Sequence, residues 1–448
     1  MNPGTRKWAR PLALAISLLL LVSAAPAQDW VRTGSGLGVE KVRLAVPDFK
    51  PANADPQNAS LLKVFNDTLF NDLDNSGILE LVSKSFYPLQ QPGQPPEVTF
   101  GLWNSPPPNA AMLAFGNLGV AGGKVTVQGW LYDVKNTASP LILGKQYTDV
   151  PTEDAARLIA HKFADEIIFR LGGGIAGIAE SKIYFVSNRS GHKEIWVMDY
   201  DGSNQRQLTH LNSISLSPRI SPDGSRVAFS SVTKAGWEIL MYSTELNRMV
   251  SFPHFVGANF TPSWSPDGAR LALSSSRGGH SQIYVCDSSG GNLRAMTTGR
   301  GLDVSPTWNR KTGAQIAFVG DVTGLPQIYT MEADGTNQQR FTDQGYAVDP
   351  NWSPNGQFLT FAWKRNYGPG EPGSRDIYLM DVASKQFVQL THEKGSHDSP
   401  SWSPDGRHIV FQSNRSGKEE IWMMLADGTK ARQLTFTGSN TQPNWSWK

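Results

Sequence analysis

At 448 residues the chain exceeds what one compact core ordinarily holds, so more than one domain is expected. Its 41 basic and 39 acidic residues leave a formal charge of +2, which excludes the strong positive field of a nucleic-acid binder. A single cysteine, Cys286, excludes an intramolecular disulfide framework.

Residues 1–27 read as an export signal. Arg6, Lys7 and Arg10 precede an apolar run over 12–22, and Ala25-Pro26-Ala27 supplies a small-x-small cleavage site. The run falls short of the roughly 20 residues that span a bilayer. The mature chain is therefore expected to begin near Gln28, without a cysteine there to carry a lipid.

Residues 28–172 are expected to form a small α/β domain. A strand over 42–47 leads to a helix over 59–73, with Leu61, Leu62, Val64, Phe65, Leu69, Phe70 and Leu73 at helical spacing and Asn75-Ser76-Gly77 as its stop. A short strand over 78–82 and a proline-rich loop over 90–108 follow, then two paired strands over 124–134 and 142–150. Thr152 caps a second helix whose first turn carries Glu153 and Asp154, and Ala156, Ile159, Phe163, Ile167 and Leu171 line one face. Gly172-Gly173-Gly174 marks the boundary.

The remainder, 178–448, is built on a repeated phrase whose clearest copy is Pro262-Ser263-Trp264-Ser265-Pro266-Asp267-Gly268. Its leading prolines stand at 218, 262, 306, 350, 400 and 443, giving steps of 44, 44, 44, 50 and 43. Pro-Asp-Gly suits a tight turn between paired strands, and a period in the forties made of short strands is one propeller blade. The long step comes from a six-residue insertion within 364–376. The first blade has no such phrase of its own, whereas the chain ends in a spare one at 442–446. Lending that last strand to the first blade closes a ring of six, so an α/β N-terminal domain followed by an all-β six-bladed propeller is the expected fold.

An enzymatic reading finds little support. Gly-x-Ser-x-Gly and His-Glu-x-x-His are absent, and the eight histidines are scattered. Asp223, Asp267 and Asp405 are accounted for by their turns, the repeated tryptophans by blade packing and Cys286 by a small core position. No catalytic residue, cofactor or metal site is expected, although His392 and His397 could meet at a loop. The pairs ahead of each repeat proline are instead expected in loops that converge on the channel mouth: Leu216 and Ser217, Phe260 and Thr261, Val304 and Ser305, Val348 and Asp349, Asp398 and Ser399, and Thr441 and Gln442.

An export signal, a small α/β domain and a closed ring of Trp-Ser-Pro-Asp-Gly repeats resemble the TolB family of the Tol-Pal system. The resemblance implies a non-enzymatic periplasmic scaffold that links the lipoprotein Pal at the outer membrane to inner-membrane Tol proteins, for outer-membrane invagination at division and envelope integrity. It also implies that Pal binds over the channel mouth, at Phe260, Thr261, Val304, Ser305, Val348, Asp349 and Asp398. TolA would bind an extended N-terminal segment, here Asp29, Trp30, Val31, Arg32 and Thr33, expected to make few core contacts. A periplasmic enzyme or sugar-binding propeller using the same mouth is the alternative.

Overall fold

A computed structural model describes residues 29–367 and 373–447. The export signal expected over residues 1–27 lies outside the described residues.

The N-terminal domain packs the helices Asn58–Asn75 and Glu153–Leu171 on one face of a mixed sheet. Thr152 caps the second helix by accepting a hydrogen bond from the Ala155 amide, as its sequence demands. In that sheet the strand Met112–Ala121 runs parallel to Val42–Ala45 and antiparallel to Lys124–Asp133. It is absent from the sequence reading because it is buried on both faces and shows no alternation of apolar and polar residues. The 90–108 segment is not all loop: Pro95–Glu97 forms a 3-10 turn and Phe100–Asn104 a short helix, held by the buried Trp103.

Six four-stranded antiparallel sheets follow. The last strand, Asn440–Trp445, pairs with Lys182–Ser187 and completes the first blade, so the ring closes as the spare phrase predicts. Trp264, Trp308, Trp352, Trp402 and Trp445 are buried between blades. Cys286 is buried too, and burial pushes its thiol up to about 12.

The turns explain the wording of the repeat. In Trp-Ser-Pro-Asp-Gly the serine hydroxyl donates to the aspartate and accepts the amide that opens the next strand. Ser221, in the copy that has Ile220 in place of Trp, reaches Asp223 at 2.5 Å and Arg226 N at 3.0 Å, and Ser403 bonds Asp405 and receives His408 N at 3.0 Å. Asn355 serves the same serine contact at 2.6 Å. A second relay ends five of the six units: Thr209, Thr297, Thr342, Thr391 and Thr435 accept the amides of Ile195, Ile283, Ile328, Ile377 and Ile421 at 2.9–3.0 Å.

The N-terminal segment departs from expectation. Asp29–Ser35 is a short helix rather than an extended strand, and it docks on the propeller. Val31 and Leu37 are buried against Phe358, Trp402 and Leu425, the Trp30 ring lies 5.7 Å from Phe358, and Arg32 sits 3.8 Å from Asp427. Gly34 is required there, because a Cβ would come within 2.2 Å of Phe358.

The two domains meet on the face of the ring that carries the Pro-Asp-Gly turns. Lys430 bonds the Asp74 carbonyl at 2.6 Å, the His408 imidazole donates from Nε2 to the Asn75 carbonyl at 2.8 Å, and Arg407 donates to Gly172 O at 3.2 Å. Since strands alternate in direction around each blade, the loops that join one blade to the next lie on the opposite face, which is left open.

Candidate functional site

The open face surrounds the channel mouth. Here the inner strands begin, and each carries the same irregularity: Ser217, Thr261, Ser305, Asp349, Ser399 and Gln442, one per blade, adopt φ between +47 and +56 just before the repeat proline. A register shift follows in every inner strand. Of these six, Asp349, Ser399 and Gln442 line a cavity at the mouth, as bulges re-aim side chains at barrel rims.

The expected site residues therefore lie within strands rather than in loops. Their amides are tied to neighbouring blades: Thr261 N donates to Ser230 Oγ at 2.9 Å, Ser305 N to Ser274 Oγ at 3.1 Å, and Gln442 N to Gln412 Oε1 at 2.8 Å. Gln442 Oε1 in turn accepts Ser217 N at 2.8 Å. Val304 and Val348 pack into the hydrophobic clusters between blades, and Phe260 meets Trp237 with ring centroids 5.1 Å apart.

Of the seven mouth positions, Asp349 and Asp398 line a cavity of about 250 Å³, together with Arg375, Ser399 and Gln412. Arg375 comes from the inserted hairpin and grips Asp398 with two nitrogens, Nη2 lying 3.1 Å from Oδ2. Ser399 donates to Asp349 at 2.8 Å. Burial raises the Asp349 carboxyl and the Asp398 charge adds to the shift, against the Ser399 bond and the charges of Arg219 and Arg375. Lower in the channel, Arg310 reaches across from the fourth blade to the Trp402 carbonyl in the sixth at 3.1 Å and stacks on Trp447, leaving a space of about 30 Å³.

The rim supplies a feature that the repeat could not show. Ile214, Val256, Leu302, Val322, Leu325, Tyr367 and Phe436 are exposed, and all stand in loops on the open face. They fall outside the repeated phrase, at positions that vary between blades, so periodicity carried no signal for them.

His392 and His397 both bear on the Asp376 carboxylate, but from different settings. His397 is a fully buried strand residue whose Nε2 faces the Glu393 carbonyl at 3.1 Å, whereas His392 is exposed.

Comparison with known proteins assigns the chain. Residues 170–369 and 344–448 match the TolB beta propeller domain, and residues 35–139 match the TolB amino-terminal domain. The chain belongs to the TolB family. It is 34% identical over 351 residues to a TolB homolog of Chlorobium luteolum, covering 78% of this chain and 77% of that protein. It is 32% identical over 330 residues to the Tol-Pal system protein TolB of Bordetella pertussis, covering 72% and 70%. The crystal structure of TolB from Acinetobacter baumannii shares the fold, with a TM-score of 0.76 at 21% identity over 91% of this chain and 97% of that one. A TolB role in a Tol-Pal system follows. Among the described residues no helix is long and apolar enough to cross a membrane.

Proposed function

We propose that this TolB-family protein is a non-enzymatic periplasmic scaffold, which takes Pal on its open face and TolA through its N-terminal segment. It thereby couples the outer membrane to inner-membrane Tol proteins during division and in envelope maintenance. The observation that carries the reading is the asymmetry of the ring. One face carries the N-terminal residues, docked over its first, fifth and sixth blades, while the other presents an apolar rim around a polar centre, the anatomy of a protein interface.

The mouth strands are poor places to test this, since changes at Thr261 or Val304 would disturb bonds and packing between blades. Rim residues are better. Val256→Asp and Val322→Asp should each weaken binding of the soluble domain of Pal at least tenfold by calorimetric titration, with unchanged circular dichroism. Leu246→Asp, exposed on the opposite face, should bind as the unaltered protein does. Full affinity in both rim variants, or an equal loss in the control, would refute the placement. The small polar cavity of Asp349, Arg375 and Asp398 favours a second reading, a small-ligand or glycan site. Recovery of Pal from envelope extract supports the scaffold, and glycan turnover without Pal supports the alternative.

A further inference from the structure

Between the two domains lies a cluster of ionisable groups that the partner-binding face does not use. His161, on the helix Glu153–Leu171, is buried together with Asp72 from the helix Asn58–Asn75. Its Nδ1 donates to Asp72 Oδ2 at 2.7 Å, and the other oxygen of Asp72 accepts the Tyr200 hydroxyl from the first blade. The imidazole is thus held in one orientation, with its second nitrogen aimed away from Asp72.

That second nitrogen, Nε2, has no hydrogen-bond partner although His161 is only 3% exposed. A buried imidazole nitrogen without a partner is costly and calls for an explanation. His161, Asp199 and Asp201 each offer one ligand atom, all within 4.8 Å of one another, and they form the one such group among the described residues. Asp199 ends the third strand of the first blade and Asp201 lies in the turn that follows.

We propose that His161, Asp199 and Asp201 bind a first-row divalent cation of the zinc type, which pins the N-terminal domain to the first blade. One imidazole and two carboxylates suit zinc, whereas calcium and magnesium prefer oxygen alone. Ligand atoms about 2.1 Å from zinc stand about 3.4 Å apart in a tetrahedron, so modest side-chain rotations close the set and leave a fourth position for water. Asp72 completes the arrangement from behind: a carboxylate on the far nitrogen fixes the tautomer that leaves Nε2 its lone pair.

The neighbouring contacts are compatible. Lys182 bonds Asp199 Oδ1 at 2.6 Å and Asn204 bonds Oδ2 at 2.8 Å, while Ser203 and Arg157 contact Asp201. A carboxylate has about four lone-pair sites, so these bonds leave acceptor capacity on both aspartates. Because the ligands belong to different domains, the cation would bind only the docked arrangement and would stabilise it by mass action.

The test uses untagged full-length mature protein stripped with a chelator and titrated with zinc chloride in a calorimeter. One strong site per chain is expected, with a higher melting temperature in zinc than without. Asp201→Asn keeps every histidine, including the exposed His192, His210, His254, His280 and His392, so surface binding serves as its own background. It should lower the affinity of the strong site at least tenfold and abolish the melting shift, with an unchanged circular dichroism spectrum. His161→Gln should do the same, and Asp201→Asn decides the matter if that buried change impairs folding. Absence of a strong site, a strong site unaltered in Asp201→Asn, or equal competition by calcium would overturn the proposal.

Discussion

Each serine of Trp-Ser-Pro-Asp-Gly is both donor and acceptor, and that double use gives the phrase its wording. Ser403 is fully buried; its hydroxyl donates to Asp405 and accepts the His408 amide, and its backbone carbonyl accepts the Gly406 amide within the turn. Ser403→Ala would leave the His408 N–H without an acceptor, at a cost of about 1–3 kcal/mol. Urea unfolding followed by tryptophan fluorescence should report a loss in that range, and unchanged stability would show that the relay contributes nothing. The turn was legible in sequence because Pro, Asp and Gly each impose a backbone preference. The threonine relay was legible only as a recurrent Thr, fourteen residues after an Ile; in the second blade Pro253 takes the place, and the relay is missing. The residues with positive φ at the mouth were hidden more thoroughly. Ser, Thr, Asp and Gln occupy them, and no residue type announces the bulge.

At the scale of elements, two segments show where local pattern gives way to tertiary context. Met112–Ala121 is covered on both sides, so the alternation that marks a half-exposed strand never appears. The helix Asp29–Ser35 is only seven residues long, too short to be stable alone, and it exists because Val31 and Leu37 find a seat on Phe358, Trp402 and Leu425. Burying a Val or Leu stabilises by about 1.5–3 kcal/mol. Deleting residues 29–38 should therefore lower the melting temperature by several degrees, and Val31→Asp should reproduce much of the effect; an unchanged transition would show that the seat contributes little. If TolA takes this segment, it must first lift it from the propeller, and the truncated protein should lose TolA binding. The cluster of Asp72, His161 and Tyr200 was equally beyond local reading, because its bonds join residues 89 and 128 positions apart.

The whole molecule is held in a ring by its last strand. Six blades and their closure were legible because the phrase recurs once per blade and one copy is left over, so a count of prolines carried topological information. The side of the ring that the N-terminal domain covers was not, since it depends on long-range bonds such as Lys430 to Asp74 and His408 to Asn75. Removing residues 440–448 would strip the inner strand from the first blade, expose Ile183 and Phe185, and leave a row of unpaired backbone groups. The variant should melt at a much lower temperature and aggregate on heating, whereas an unaltered melting curve would show that the ring does not depend on its clasp. For a chain exported as proposed, the same clasp sets an order of events. A chain threaded across a membrane from its N-terminus delivers Lys182–Ser187 long before Asn440–Trp445, and the first blade must wait, one strand short, until nearly all the rest has emerged. Any product broken off before the end arrives with that gap still open, recognisable to a protease by the edge it cannot hide.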